Sequence, residues 1–200
     1  MNNNTNYNEL KQEVGVINSK NGLHNKEYSS EHFITLILSE LYEAMEAERL
    51  NRRADIGKYI ERLSSMSYSI EELTTTLELS SYNDKILEIF ERNSLYYVFI
   101  KGTIEEELAD AFLRTMDIAY IHNIDIEVCN TKPLTGDYMT EDIYIITTDI
   151  LSNATSLSHK VNLLASYIIQ LANKHNVELS LQVRFKLDYN KLSYKPIKKY

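Results

Sequence analysis

The stretch TIEEELADAFLRTMDIAYI at 103–121 decides the fold. Ile104, Leu108, Ala111, Phe112, Thr115 and Ala119 recur at intervals of three and four, the period of one helix face. Thr103-Ile-Glu-Glu106, directly after Gly102, reads as a capping box that opens this helix, which the spacing carries to about His122. Beside the apolar stripe runs a polar one of Glu107, Asp110, Arg114 and Asp117. A second stretch, SELYEAMEAE at 39–48, is built alike. Glu40 and Glu43 border a wide stripe of Phe33, Ile34, Ile37, Leu38, Leu41, Ala44 and Met45, in a helix predicted to start at an N-cap Ser30 and to end near Arg52.

Residues three apart on a helix share a face, so Glu40 with Glu43, and Glu107 with Asp110, each offer two carboxylates side by side. Packing the two helices together gathers four. Such a group needs a cation, and hard oxygen donors suit Mg²⁺ or Mn²⁺, whose usual companion is a phosphate-bearing substrate. The plain alternative is a solvated helix face, because like charges in water cost only about 0.2–0.5 kcal/mol per pair. Against it, both couplets sit in the helices with the strongest apolar stripes and lack alternating opposite charges. Glu46 continues the acidic pattern and is easily mistaken for a ligand.

Working outward, Leu10, Val14 and Ile17 predict a helix near 7–20, stopped by Asn21-Gly22. The segment 53–102 predicts two or three short helices, from a capping box at Ser69-Ile-Glu-Glu72 and from Ser81 followed by Ile86, Leu87, Ile89 and Phe90. KPLTGDYMT at 132–140 is a loop, and 141–155 and 158–175 read as two further helices. Strict apolar alternation from 179 to 189 is a strand signal. His122-Asn-Ile-Asp-Ile126 is echoed by His175-Asn-Val-Glu-Leu179, which suggests two tandem halves, the second without carboxylates.

With 200 residues, 44% hydrophobic, and only five Gly and two Pro, the chain can bury a sizeable core and has little turn punctuation, so an all-α helical bundle is expected. Its formal charge of −8 argues against nucleic acid as a partner. The lone Cys129 excludes an internal disulfide. No apolar run approaches the roughly 18–20 residues of a membrane span, and MNNNTNYNE has no signal-peptide pattern. A cytoplasmic protein without a membrane partner is the expectation.

At these residues the chain resembles the MazG-like all-α nucleoside triphosphate pyrophosphohydrolases, related to the dimeric dUTPases. Glu40-Leu-Tyr-Glu43 with Ala44-Met-Glu-Ala47 is similar to their first motif, and Glu106-Glu-Leu-Ala-Asp110 with Arg114 and Asp117 to their second. Arg52-Arg-Ala-Asp55, Phe90-Glu, Lys101-Gly-Thr-Ile-Glu and the tail segments Lys186-Leu-Asp-Tyr-Asn190 and Lys198-Lys-Tyr200 extend it. The chain departs from the pattern in a longer gap between couplets and in lacking an arginine close after Asn190.

The resemblance implies a helix rather than a strand at the tail. It also implies hydrolysis of a nucleoside triphosphate to monophosphate and pyrophosphate, with Mg²⁺ or Mn²⁺ on Glu40, Glu43, Glu107 and Asp110. Glu43, with Glu40 as the other candidate, would be the proton acceptor. Lys101, Arg114, Arg52 and Arg53 are the cations nearest the couplets, and Tyr189, Asn190 and Lys195 could reach base or phosphate. The expected organisation is a catalytic half at 1–130, with 53–102 inserted, and a supporting half at 131–200; a homodimer stays open. A different class of reading is a non-catalytic helical interaction protein, for which fifteen tyrosines would suit an interface.

Overall fold

In the computed structural model, which describes residues 6–77 and 91–192, the chain is an all-α bundle with no strand among the described residues. Its helices are α1 (Tyr7–Lys20), α2 (Ser30–Arg49), α3 (Ile56–Leu77), α4 (helical through 91–99), α5 (Ile104–Ile121), α6 (Met139–Ser152), α7 (Leu157–Lys174) and α8 (Leu179–Leu192). The expected helix over Ile86–Phe90, the start at Ser81, and Lys195 with the Lys198–Tyr200 tail lie outside the described residues.

α5 is the axis of the bundle. Leu108, Ala111, Phe112, Met116, Ile118 and Ala119 are all buried, so the helix is covered almost all round, by α1, α2, α7 and α8. Each large side chain sealed in this way contributes roughly 1.5–3 kcal/mol. α2 lays Ile34, Ile37, Leu41 and Ala44 against it, the stripe read from the sequence. α1 approaches closely because Gly15 carries no side chain: a Cβ there would sit 2.1 Å from the Tyr120 ring. A smaller second core of Tyr59, Tyr96 and Ile100 joins α3 and α4 to Phe185 and Tyr189 of α8.

α8 corrects the strand expectation. Alternate apolar residues also form two interleaved i, i+4 ladders: Leu179, Val183 and Leu187 face the main core, while Phe185 and Tyr189 face the second one. A helix wedged between two cores thus imitates period two. The capping box at Ser69–Glu72 is likewise overturned, since α3 runs unbroken from Ile56 to Leu77 with no proline to stop it. The N-cap of α2 is Ser29, whose hydroxyl accepts from His32 N, one residue before the expected Ser30. That helix stops at Arg49 rather than Arg52.

The His-Asn echo is a shared way of ending a helix. Asn51, Asn123 and Asn176 each take positive φ, at 51°, 50° and 56°. In each case the next amide reaches back to an alanine carbonyl, from Arg52 to Ala47, Ile124 to Ala119 and Val177 to Ala172, all at 2.8 Å. These are Schellman ends, with Asn in the left-handed position. The same device closes α2, so helix termination accounts for the repeat at 122 and 175.

Candidate metal centre

The site is built at the start of α5. Thr103 caps the helix by accepting from Glu106 N, and three glutamates follow in the first turn, where the helix dipole favours anions. Successive residues turn by 100°, so Glu105, Glu106 and Glu107 point in three directions and meet three sets of partners. Glu105 accepts from Arg53 Nε at 2.6 Å and from Ala54 N at 3.0 Å, tying the chain after α2 to α5. Glu106, fully buried, accepts from Gly102 N, Lys101 Nζ and Lys186 Nζ. Its reach to Gly102 rather than to Thr103 N makes the expected capping box one residue wider.

Glu107 turns toward α2. One carboxylate oxygen each from Glu40, Glu43 and Glu107 lies within 4.8 Å of the others. Glu107 is 4% exposed, and its carboxylate has no hydrogen bond or ion pair among the described residues. Burial, then repulsion from Glu106 and Asp110 with a smaller share from Glu40, outweighs the attraction of Lys101 and pushes its carboxyl up to about 8 from an ordinary 4.5. Glu40 is buried beside it and accepts from Arg114 Nε at 2.5 Å, while Glu43 faces solvent with no ion pair among the described residues.

This donor set fits a hard divalent cation. Three carboxylates converge, and the buried one, Glu107, has no direct ion pair among the described residues, so a cation would relieve their repulsion. Exposed Glu43 can rotate to bring its oxygen to the roughly 3 Å spacing of neighbouring ligands around a small ion, set by metal–oxygen distances of about 2.1 Å.

Asp110, the fourth expected ligand, is on the same face but is held differently. Its Oδ2 accepts from Lys186 Nζ at 2.5 Å. The same ammonium donates to Glu106 at 2.5 Å and lies 5.8 and 5.7 Å from the Tyr96 and Tyr189 ring centroids. The two rings stack on each other at 4.3 Å. Lys186 is therefore a buried cation fixed by two carboxylates and two aromatic faces. Burial works against the charge on Glu106, yet Lys186 and the Gly102 amide outweigh it and hold that carboxyl low. For Asp110 burial prevails over Lys186 and raises it.

The remaining predicted residues divide. Lys101 and Arg114 border the site, each paired with one of its carboxylates, through Glu106 and Glu40 respectively. Arg53 binds Glu105 and the His175 carbonyl, so it braces the bundle. Arg52 has an exposed side chain and uses its backbone to hold Ala47 and Ile104. Tyr189 packs on Tyr96, Asn190 is half-buried, and Glu46 pairs with Arg49 in solvent. Asp117 leaves the stripe to meet His24 Nε2 at 2.9 Å, and His24 Nδ1 meets Ser19 Oγ at 2.8 Å.

The residues missing from the sequence reading of the site are Glu106 and Lys186. Glu106 was visible only as half of a capping box and as the first residue of the second motif's resemblance, and Lys186 only as the first residue of the tail resemblance. No helix among the described residues is long and apolar enough to cross a membrane. Comparison of the chain with protein families, curated proteins and solved structures finds no match to any of them.

Proposed function

We propose that the chain hydrolyses a nucleoside triphosphate to its monophosphate and pyrophosphate, using a divalent cation held by Glu40, Glu43 and Glu107. The single observation that carries this reading is Glu107, a buried carboxylate with no ion pair among the described residues, which faces two further glutamates across the α2–α5 contact. Mg²⁺, or Mn²⁺ in its place, would supply charge neutralisation of the phosphate oxygens and a lowered pKa for a bound water.

The chain's own groups take distinct parts. Glu43, exposed and free of ion pairs among the described residues, accepts the proton of the attacking water. The water oxygen bonds to the α-phosphorus as that atom's bond to the bridging oxygen breaks, and pyrophosphate leaves with the electron pair. Glu40 is held in place by Arg114, which leaves it the weaker candidate for the base. Lys101 and Arg114 have side chains 41% and 44% exposed, so both can turn toward phosphate oxygens at the rim. Lys101 is a point charge and Arg114 a fork.

The test is release of pyrophosphate from a panel of nucleoside triphosphates with Mg²⁺. Release is expected from wild type and lost in Glu40→Gln, and Glu43→Gln should lower kcat by about 10²–10⁴. No release from any nucleotide, together with no thermal shift from Mg²⁺ plus nucleotide, would favour the interaction-protein reading instead.

A further inference from the structure

Five carboxylates crowd the start of α5 and the facing turn of α2: Glu40, Glu43, Glu106, Glu107 and Asp110. Among the described residues three cationic side chains touch them: Lys101 and Lys186 at Glu106, Lys186 also at Asp110, and Arg114 at Glu40. With all five ionised, as when an ion displaces the Glu107 proton, two negative charges are left over, which one divalent ion balances.

The division is spatial as well as numerical. Lys186 lies 2.5 Å from the Glu106 and Asp110 oxygens, and Glu107 converges instead with Glu40 and Glu43. Asp110 and Glu107 stand one turn apart on the same helix face, close enough for both to face a cation beside them if Lys186 did not already hold Asp110. Lys186 has little freedom to withdraw. It is 6% exposed and boxed by the stacked Tyr96 and Tyr189 rings, themselves packed against Tyr59 and Phe185 of the second core.

We infer that Lys186 stands where a second metal ion would otherwise bind and thereby makes this a one-ion centre, with Asp110 committed to the lysine rather than to metal. Lys186 is a positioning residue: it keeps Asp110 and Glu106 neutralised and leaves the Glu40–Glu43–Glu107 group as the sole cation site. The inference rests on reading the carboxylates as a cation site, and it is independent of which nucleotide is cleaved.

The test is to titrate the metal-free full chain with Mn²⁺ alone and follow the bound ion by electron paramagnetic resonance. Wild type should bind one Mn²⁺ per chain and give the six-line spectrum of an isolated ion. Lys186→Met should bind two, with the broadened, exchange-coupled spectrum of ions a few ångströms apart, and the double variant K186M/D110N should return to one. A merely structural lysine would change the affinity or the folded fraction without producing a coupled pair. Two ions on wild type overturn the inference without need of any variant. One ion on folded Lys186→Met, judged by its circular dichroism, also overturns it while leaving the cation site standing. No bound ion on wild type sinks the site itself.

Discussion

Replacing Glu107 with glutamine should stabilise the metal-free protein at alkaline pH. Glu107 keeps its proton in the folded chain up to about 8, against an ordinary 4.5, because burial and neighbouring carboxylates disfavour its charge. A carboxyl raised in this way contributes stability that is fully present below pH 4.5 and is lost as pH climbs to 8, since the folded state holds the extra proton. At about 1.4 kcal/mol per pKa unit, the loss reaches a ceiling of about 5 kcal/mol by pH 9. Asp110 and Glu106 titrate in the same field, so about half, roughly 2–3 kcal/mol, is expected for the single substitution. Glutamine fills the same volume without the charge. In thermal unfolding with chelator present, Glu107→Gln should therefore melt about 5–10 °C above wild type at pH 9 and close to it at pH 5. Saturating Mg²⁺ should reverse the order at pH 8, because only wild type then gains from binding. A glutamine variant less stable than wild type at pH 9, or a gap independent of pH, would refute the claim that Glu107 is a strained, unpartnered carboxylate.

Other perturbations test the frame around the site. Gly15→Ala places a methyl 2.1 Å from the Tyr120 ring and should cost about 1–3 kcal/mol in chemical denaturation, a loss largely relieved in a Tyr120→Ala background. Lys174 donates to the fully buried Asp142 at 2.5 Å, so Lys174→Met should destabilise by about 3 kcal/mol, and adding Asp142→Asn should recover part of it. Asn176 holds φ 56°, and Asn176→Gly should be neutral or slightly stabilising where Asn176→Val costs about 1–2 kcal/mol; equal losses from both would contradict the Schellman reading.

Elements written in a single period were legible in the sequence. α1 and α5 begin and end within a residue or so of expectation, because apolar spacing and caps agree there. The convergence of Glu40, Glu43 and Glu107 was also legible, since two strong apolar stripes left one way to pack and set both polar borders side by side. What failed had physical reasons. α8 faces two cores at once, so its pattern mimics a strand. Serine and two glutamates at 69–72 resemble a helix start but cannot interrupt a helix without a breaker. The lysine that claims Asp110 lies 76 residues away along the chain, and no local pattern announces which cation a carboxylate will meet. Three adjacent glutamates look equivalent in sequence and become different only through the 100° turn between them.

The most direct test of the centre is anomalous diffraction from crystals soaked in Mn²⁺. The account predicts one peak, within about 2.3 Å of carboxylate oxygens of Glu40, Glu43 and Glu107, with Lys186 still bonded to Asp110. No peak at that position under saturating metal, or a peak held by other residues, would contradict it.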